Sequence, residues 1–219
     1  MITIHGVYRS RASRNIWLCL EMGQEFRHVP VIQAGRLADP LAPGAPINTR
    51  SPEFLKVNPN GMIPAVEVDG MVMTESLAIN LYLAKRFGGP LAPRDLAEDG
   101  RMTEWALWAA TNVEPHALNI LYYHRVMKPE AERDAALAAA CVDALRAPFA
   151  VLDAALAKDG FLVGGRFTVA DLNTAEVVRY ALPAPELFEA APRVKAWLAA
   201  CHARPAYQKM MEGRNAEPA

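Results

Sequence analysis

The sequence predicts two domains, a small α/β domain followed by an all-helical domain. Strand and helix patterns alternate over residues 1–87, and a linker rich in Pro and Gly covers residues 88–95. Residues 96–219 then form long Ala/Leu-rich amphipathic stretches without a strand pattern. The chain has 219 residues, of which 52% are hydrophobic, and is therefore long enough to bury a large core.

The first half of the α/β domain has the order strand, helix, strand. Residues 2–7 alternate weakly between apolar and polar, and the helical pattern that follows stops at Gly23, a residue suited to a helix C-terminus. Residues 26–32 predict a second strand. Residues 33–52 are rich in Gly, Pro and Ala and predict a long loop, which in compact domains is usually functional or mobile.

The second half has the order helix, strand, strand, helix. The segment PEFLKV, residues 52–57, predicts a short helix, and two strands meet at Asp69-Gly70, a dipeptide typical of hairpin turns. A helix then runs from Ser76 to an end at Gly88.

Composition excludes several classes of protein. Lys and Arg (23) nearly balance Asp and Glu (24), which argues against a nucleic-acid binder or a membrane-surface protein. The start has no signal-like pattern and no run of 18 apolar residues follows, so we expect a cytoplasmic protein. Cys19, Cys141 and Cys201 lie far apart and predict buried free thiols, with no metal site.

Pro64 stands at the entrance of the predicted third strand. Proline cannot donate to a sheet ladder, so Ile63 before it has an amide and a carbonyl that could pair with an extended, peptide-like ligand. A cis Ile63-Pro64 bond would turn those groups outward. The alternative is a proline of an ordinary edge strand.

Glu75 and Ser76 stand at the start of the helix that follows the hairpin. Such a pair most often marks only a helix N-cap. The same geometry would also let the first amides and the Ser76 hydroxyl bind a carboxylate while Glu75 binds an ammonium group, which together recognise an amino-acid head group.

The stretch NPNGMIPAVEVDG...TESLAINLYL resembles the glutathione-site segment of cytosolic glutathione transferases, whose first domain is thioredoxin-like. The resemblance implies that glutathione is the co-substrate, that Ile63, before a cis Pro64, pairs with its cysteinyl part, and that Glu75 and Ser76 hold its γ-glutamyl end. It further implies a cytoplasmic, homodimeric detoxification enzyme, here a bacterial, serine-dependent member similar to the theta or omega class.

A second similarity lies in the helical domain. FLVGGRFTVADLNTAEVV, residues 161–178, resembles the capping box of that family, with Thr168 as the N-cap residue and Asp171 three positions later. A T-x-x-D pattern before a helical run is by itself a helix start signal, so these residues are expected to be structural.

The residue that activates the glutathione thiol is expected in VYRSRASRNIW. Ser10 falls where theta-like members carry their catalytic serine, and Ser13 is a second candidate that could instead be the helix N-cap. Tyr8 lies too late after the strand to match the tyrosine of other classes. Three arginines at this helix start would raise the local positive potential and favour a thiolate: Arg9, Arg11 and Arg14.

Arg50 and Lys56 are the candidate partners of the glycine carboxylate of glutathione, although each could equally be a solvent-exposed charge. The second substrate is expected to contact a stripe on the first long helix of the helical domain, where Pro115 would interrupt the hydrogen-bond ladder. Such a stripe is more often core than pocket. Its residues are Trp105, Trp108, Asn112 and His116.

The expected reaction is attack of the glutathione thiolate on a small hydrophobic electrophile. Alternatives are a glutathione-dependent peroxidase, disulfide reductase or isomerase acting on an oxidised or other small substrate. A zeta-type isomerase is disfavoured because that group resembles a Ser-Ser-Cys start, where this chain has Arg9-Ser10-Arg11. A non-catalytic interaction protein of the same fold is disfavoured because Glu75-Ser76 is intact.

Overall fold

The computed structural model describes residues 1–121 and 128–217, and the chain divides into two compact units. The first unit, Met1–Arg86 with the chain from Arg204 onward, is built on a four-stranded mixed sheet with strand order β2-β1-β3-β4. Strands β1 and β2 are parallel, whereas β3 is antiparallel to both β1 and β4. This is the predicted α/β domain of thioredoxin-like type. The strands are β1 (Ile2–His5), β2 (Phe26–Val29), β3 (Ala65–Val68) and β4 (Met71–Met73).

The turns between these elements lie where the sequence predicts them. Gly23 has a φ of 65° and ends the first helix, while Asp69 and Gly70 have φ values of 51° and 77°, as a tight hairpin turn requires. Strand β2 is shorter than predicted because Pro30, which has no N–H, follows Val29. The helices of this part are α1 (Ala12–Glu21), α2 (Pro52–Val57) and α3 (Ser76–Phe87).

The second unit, Phe87–Ala203, is helical, and its described residues hold no strand longer than an isolated bridge. A π-helical turn at Ala109–Val113 lies just before Pro115, so the predicted interruption of the helix ladder is confirmed. The predicted helical stretch runs on into residues 122–126, which lie outside the described residues. The helices are α4 (Leu96–Trp108), α5 (Glu114–Asn119), α6 (Ala135–Ala155), α7 (Val169–Val178), α8 (Pro185–Ala190) and α9 (Pro192–His202).

The predicted capping box starts α7, the helix at the centre of this unit's core. Thr168 N donates to Asp171 Oδ2 at 2.9 Å, and the Thr168 hydroxyl accepts from Ala170 N at 3.3 Å. Asp171 also accepts from Trp197 Nε1 and from Leu162 N, both at 3.0 Å. Burial raises the pKa of Asp171, and these hydrogen bonds oppose that rise. The motif is thus structural, as expected.

Among the described residues, helix α6 is long and apolar enough to cross a membrane by length and composition alone, and a third of its most apolar stretch is buried. It packs on α5, α8 and α9 of the same unit. The three cysteines are buried free thiols, as predicted, and burial raises the pKa of Cys19 to about 12. The Cys19 thiol is therefore no nucleophile at neutral pH.

The last helix, α10 (Pro205–Ala216), packs on α1, and the chain from Arg204 onward belongs to the first unit with Met1–Arg86. The Trp17 and Tyr207 rings meet edge to face, with centroids 4.9 Å apart. The sequence pattern did not indicate this packing, because residues 96–219 have one continuous helical character. The domain limits of 1–87 and 96–219 stay a prediction.

Candidate active site

The Ile63-Pro64 peptide bond is cis, and Pro64 is buried at the entrance of β3. Ile63 is half-buried and lies outside the strand, and neither its amide nor its carbonyl bonds to another group within the residues that the structure describes. The vacant pair of backbone groups expected from the sequence is therefore present at the entrance of β3, which is an inner strand of the sheet and not an edge strand.

Glu75 and Ser76 form the start of α3, with Glu75 in the left-handed backbone region at a φ of 65°. The Glu75 side chain is exposed, and it bonds to no group in the described part of the chain. Ser76 is buried, and its hydroxyl accepts a hydrogen bond from Arg14 Nη1 at 3.0 Å. The residue with the exposed carboxylate is thus followed directly by one whose hydroxyl is held in place by a buried guanidinium.

Polar residues of α1 tie the start of α1 to the start of α3. Asn15 Nδ2 donates to the Ser76 carbonyl at 2.9 Å and to Asn80 Oδ1 at 2.7 Å, and Asn80 Nδ2 donates to the Arg14 carbonyl at 3.2 Å. Arg14, Asn15 and Asn80 are fully buried or nearly so. Sequence reasoning missed the two asparagines, although polar residues on the apolar face of a helix are a detectable signal.

Ser10 lies in the loop between β1 and α1, and its hydroxyl is on the same side of Gly6 as Ile63. A side chain built on Gly6 would begin 3.6 Å from Ser10 Oγ and 3.3 Å from Ile63 Cβ, so both residues border the same small space. The Ser10 hydroxyl donates to the Val7 carbonyl at 2.7 Å and accepts from the Ala12 amide at 3.0 Å. The second bond polarises the hydroxyl and makes it a better donor.

Ser13 is not the N-cap of α1, and that interpretation was wrong. Helix α1 begins at Ala12, Arg11 stands at the N-cap position and its side chain does not cap the helix, and Ser10 is the residue whose hydroxyl accepts a first-turn amide. Ser13 is completely buried inside the first turn. The choice between Ser10 and Ser13 as the catalytic residue stays a prediction, and burial favours Ser10.

The other candidates near this helix start have defined partners. The Tyr8 ring packs edge-on against His28, with centroids 5.1 Å apart. Arg9 Nε donates to the Arg214 carbonyl at 3.1 Å, and Arg14 holds Ser76. Of the three arginines only Arg11 is exposed. The cluster is therefore spread over different contacts and does not point at one anion.

The remaining site candidates are exposed or partly so. Arg50 is exposed at the end of the long loop, where its amide donates to Asn48 Oδ1 at 2.9 Å, and Lys56 is exposed in the last turn of α2. The stripe on α4 and α5 is not core, because its members Trp105, Trp108, Asn112 and His116 are half-buried or exposed. Among the described residues, no cluster of three or more His, Cys, Asp or Glu side chains could hold a metal ion.

These features define a class of protein: a thioredoxin-like domain with a cis-proline at the entrance of β3 and an acid-serine pair at the start of α3, followed by a helical domain. Residues 9–86 match the family described as "Glutathione S-transferase, N-terminal domain", and residues 114–205 match "Glutathione S-transferase, C-terminal domain". The chain therefore belongs to the glutathione S-transferase family, and it is an enzyme, a glutathione transferase.

Relatives and solved structures agree over nearly the whole chain. Glutathione S-transferase 3 of Zea mays is 34% identical over 197 residues, which cover 86% of this chain and 83% of the relative. The crystal structure of glutathione transferase F7 from Populus trichocarpa has a TM-score of 0.81 at 27% identity and covers 97% of this chain and 99% of its own. A theta class glutathione S-transferase from Xanthomonas axonopodis pv. citri, solved with glutathione bound, has a TM-score of 0.77 at 30% identity and covers 95% of each chain.

Proposed function

We propose that this transferase binds glutathione along one edge of its first domain, from the start of α3 past Ile63 to the end of the long loop. The observation that carries the proposal is the Glu75-Ser76 pair. The exposed Glu75 carboxylate is available for the ammonium group of the γ-glutamyl end, since it bonds to nothing else in the described part of the chain. The Ser76 hydroxyl and the first amides of α3 would bind the carboxylate of the same end.

The buried Arg14 supports this assignment electrostatically. Its guanidinium donates to Ser76 Oγ at 3.0 Å, so a positive charge lies directly behind the hydroxyl. That charge and the positive end of the α3 dipole both favour a carboxylate there. The side chain of Asn15 fixes the same turn by its bond to the Ser76 carbonyl.

Ile63 would then pair with the cysteinyl part of glutathione through its unused amide and carbonyl. Pairing at Ile63 would bring the thiol towards Ser10, because Ser10 Oγ and Ile63 Cβ border the same space at Gly6. Rotation of the Ser10 hydroxyl away from the Val7 carbonyl would redirect its hydrogen to the sulfur, where it stabilises the thiolate. The exposed Arg50, or Lys56, would bind the glycine carboxylate at the other end.

The thiolate then attacks an electrophilic carbon of the second substrate. A carbon–sulfur bond forms, the leaving group departs with its electron pair, and the thiol proton is released to solvent. Trp108, Asn112 and His116 are the proposed contacts of that substrate, since aromatic and amide side chains at the surface suit a small apolar electrophile. Reduction of a peroxide or a mixed disulfide by the same thiolate is the second candidate activity.

We also propose that the enzyme is a cytosolic homodimer. Strand β4 is an edge strand, and its residues Met71 and Val72 are 43% and 48% exposed. An exposed edge strand with apolar side chains is a surface that proteins usually cover, and a second copy of the chain would cover it. Sedimentation of the purified protein tests this assembly.

The central test is calorimetry of glutathione binding to the wild type and to Glu75→Ala. We expect the variant to lose ~1.5 to 3 kcal/mol of binding free energy, because the ligand's ammonium group would be left without its charged partner. The matched control is Glu25→Ala, which removes an exposed acid elsewhere in the first unit. Equal affinity of all three proteins would contradict the assignment.

The same titration separates the two cation candidates. Arg50→Ala and Lys56→Ala each remove one exposed charge near α2. The variant that weakens glutathione binding, while leaving the binding of γ-glutamylcysteine unchanged, identifies the partner of the glycine carboxylate, because γ-glutamylcysteine lacks that group. If neither variant weakens binding, both residues are solvent-exposed charges.

A further inference from the structure

The backbone amides of the loop between β1 and α1 are held by a residue from the far end of the chain. Tyr8 N donates to Glu217 Oε1 at 2.7 Å, and Arg9 N donates to Oε2 of the same carboxylate at 2.8 Å. One carboxylate therefore accepts from two successive amides, each through a charge-assisted hydrogen bond. Two adjacent amides that donate to one carboxylate fix its position, and the carboxylate in turn fixes the direction of both amides.

The carbonyls of the same two residues are also held by side chains. Arg214 Nη1 donates to the Tyr8 carbonyl at 2.7 Å, and Arg36 Nη2 donates to the Arg9 carbonyl at 2.8 Å. Arg9 Nε in turn donates to the Arg214 carbonyl at 3.1 Å. Arg214 of α10 and Glu217 after it therefore bind three of the four backbone groups of Tyr8 and Arg9, and Arg36 binds the fourth.

Gly213 is an independent sign of this contact. Glycine is a poor residue for a helix interior, yet Gly213 lies within α10. A Cβ at this position would come within 2.7 Å of the Tyr8 ring, closer than real Cβ contacts, so only glycine lets the helix approach the ring this far. Burial and then the Glu217 carboxylate raise the pKa of Tyr8, and the ring packs here as a neutral group.

We propose that Glu217 is a positioning residue of the transferase: it fixes the Tyr8–Arg9 backbone and thereby holds the Ser10 hydroxyl in line with the thiol of bound glutathione. Ser10 follows Arg9 directly, and its Oγ borders the space that it shares with Ile63. The inference rests on the role of Ser10 proposed above. Glu217 acts through the loop and does not act on the sulfur itself.

A loss of this contact would affect catalysis more than binding. A displacement of about 1 Å in a catalytic group can lower a rate by ~10²-fold, whereas Glu75, Ser76 and Ile63 would still hold glutathione. We therefore expect Glu217→Ala to raise the pKa of the bound glutathione thiol by about one unit and to lower kcat about tenfold, with KM for glutathione changed less than about twofold. A residue that only stabilised the fold would leave the thiol titration of the folded fraction unchanged.

The experiment compares the wild type with Glu217→Ala, Glu217→Gln and the control Glu212→Ala, which removes an exposed acid of the same helix. Thiolate absorbance of bound glutathione is followed against pH, and amide hydrogen exchange of Tyr8 and Arg9 is measured without glutathione. We expect both amides to exchange faster in Glu217→Ala, Glu217→Gln to lie between that variant and the wild type because its amide oxygen can still accept, and Glu212→Ala to match the wild type.

Two results would overturn the inference alone: unchanged exchange of the Tyr8 and Arg9 amides, or an unchanged thiol titration in Glu217→Ala while the wild type binds glutathione. If the wild type binds no glutathione, the proposed function fails and the inference fails with it. If Glu217→Ala does not fold, Glu217→Gln decides, and a titration equal to that of the wild type overturns the proposal.

Discussion

Ser10 and Ser13 are three positions apart, yet their hydroxyl groups have different surroundings. Ser10 is half-buried in a loop and exchanges hydrogen bonds with Val7 and Ala12, whereas Ser13 is completely enclosed by the first turn of α1. A donor to a bound thiol has to reach the surface of the domain. Only the Ser10 hydroxyl meets that condition while remaining fixed by neighbouring backbone groups.

We predict that Ser10→Ala raises the pKa of the glutathione thiol on the enzyme by about one to two units, since a hydrogen bond to a charged group is worth ~1.5 to 3 kcal/mol and one pKa unit is ~1.4 kcal/mol. The thiolate absorbance of bound glutathione against pH measures this directly. Turnover at neutral pH should fall more than affinity for glutathione.

Ser13→Ala and Tyr8→Phe are the controls for that titration. Ser13 is enclosed and the Tyr8 ring packs against His28, so neither change should alter the thiol pKa of bound glutathione. A shift in Ser13→Ala alone would assign the hydrogen bond to Ser13 and not to Ser10. No shift in any of the three variants would assign thiolate stabilisation to backbone amides or to the nearby arginines.

At the residue scale, the sequence predicts types of group better than their partners. Glu75, Ser76, Ile63 and Pro64 are local features, because a proline at a strand entrance and an acid-hydroxyl pair at a helix start are visible in a short stretch. The contact between Arg14 and Ser76 joins positions 62 residues apart. Such a pairing depends on how α1 and α3 pack, and the local pattern does not contain that information.

At the scale of elements, the start of α7 shows how one motif ties several segments together. Asp171 accepts from the Thr168 amide, as a capping box requires, and from Trp197 of α9 and Leu162 of the preceding loop. The pattern T-x-x-D predicts the first bond but not the other two, since those donors come from other segments. A buried carboxylate with this many donors stays satisfied without a cation of its own.

We predict that Thr168→Ala lowers the free energy of unfolding by ~1 kcal/mol, the usual cost of a lost N-cap, without changing activity per folded molecule. The unfolding midpoint in urea and the turnover of the folded protein are the two measurements. Thr168→Ser keeps a capping hydroxyl and should retain most of the stability. A Thr168→Ala protein of full stability and no turnover would contradict the structural role.

Element boundaries show the limits of pattern analysis at this scale. The hairpin at Asp69-Gly70 and the interruption before Pro115 are present because each is dictated by local backbone chemistry. The start of α1 lies earlier than an N-cap at Ser13 requires. Both serines are favourable caps, so the sequence alone could not decide which one meets the first turn.

At the scale of the whole molecule, the stability of the fold depends on ionisable groups that are partly or fully buried. Glu98 and Arg166 form a pair in the second unit, and Arg166 also donates to the Pro90 and Ala92 carbonyls of the linker. Hydrogen bonds from the Arg166 side chain and then from the Arg94 amide lower the pKa of Glu98 to about 2. The stability from this pair is complete above the ordinary carboxyl pKa and is lost as the pH falls from about 4.5 towards about 2.

Because of His202 at the end of α9, the stability of the fold begins to fall at a higher pH than the Glu98–Arg166 pair alone would cause. Burial is the main cause that lowers the pKa of His202 to about 4, while Glu176 opposes this shift and Arg179 adds to it. The folded protein therefore holds this ring neutral, and the unfolded chain binds the proton more readily between about pH 6.5 and about pH 4. Its contribution to stability is complete above the unfolded pKa and declines through that window on acidification.

Between pH 6.5 and pH 4 the free energy of unfolding should fall less in His202→Gln than in the wild type. We expect the difference over this pH range to be ~1 to 2 kcal/mol, because the ring is partly exposed and solvent screens part of the effect. Glutamine is polar and does not titrate, so the variant removes the proton binding and keeps a polar group at the site. Urea unfolding at pH 8, 6.5, 5 and 4 measures the slope, and pH 8 reports any effect unrelated to titration. An identical slope in both proteins would mean that His202 binds its proton equally well in the folded and the unfolded chain.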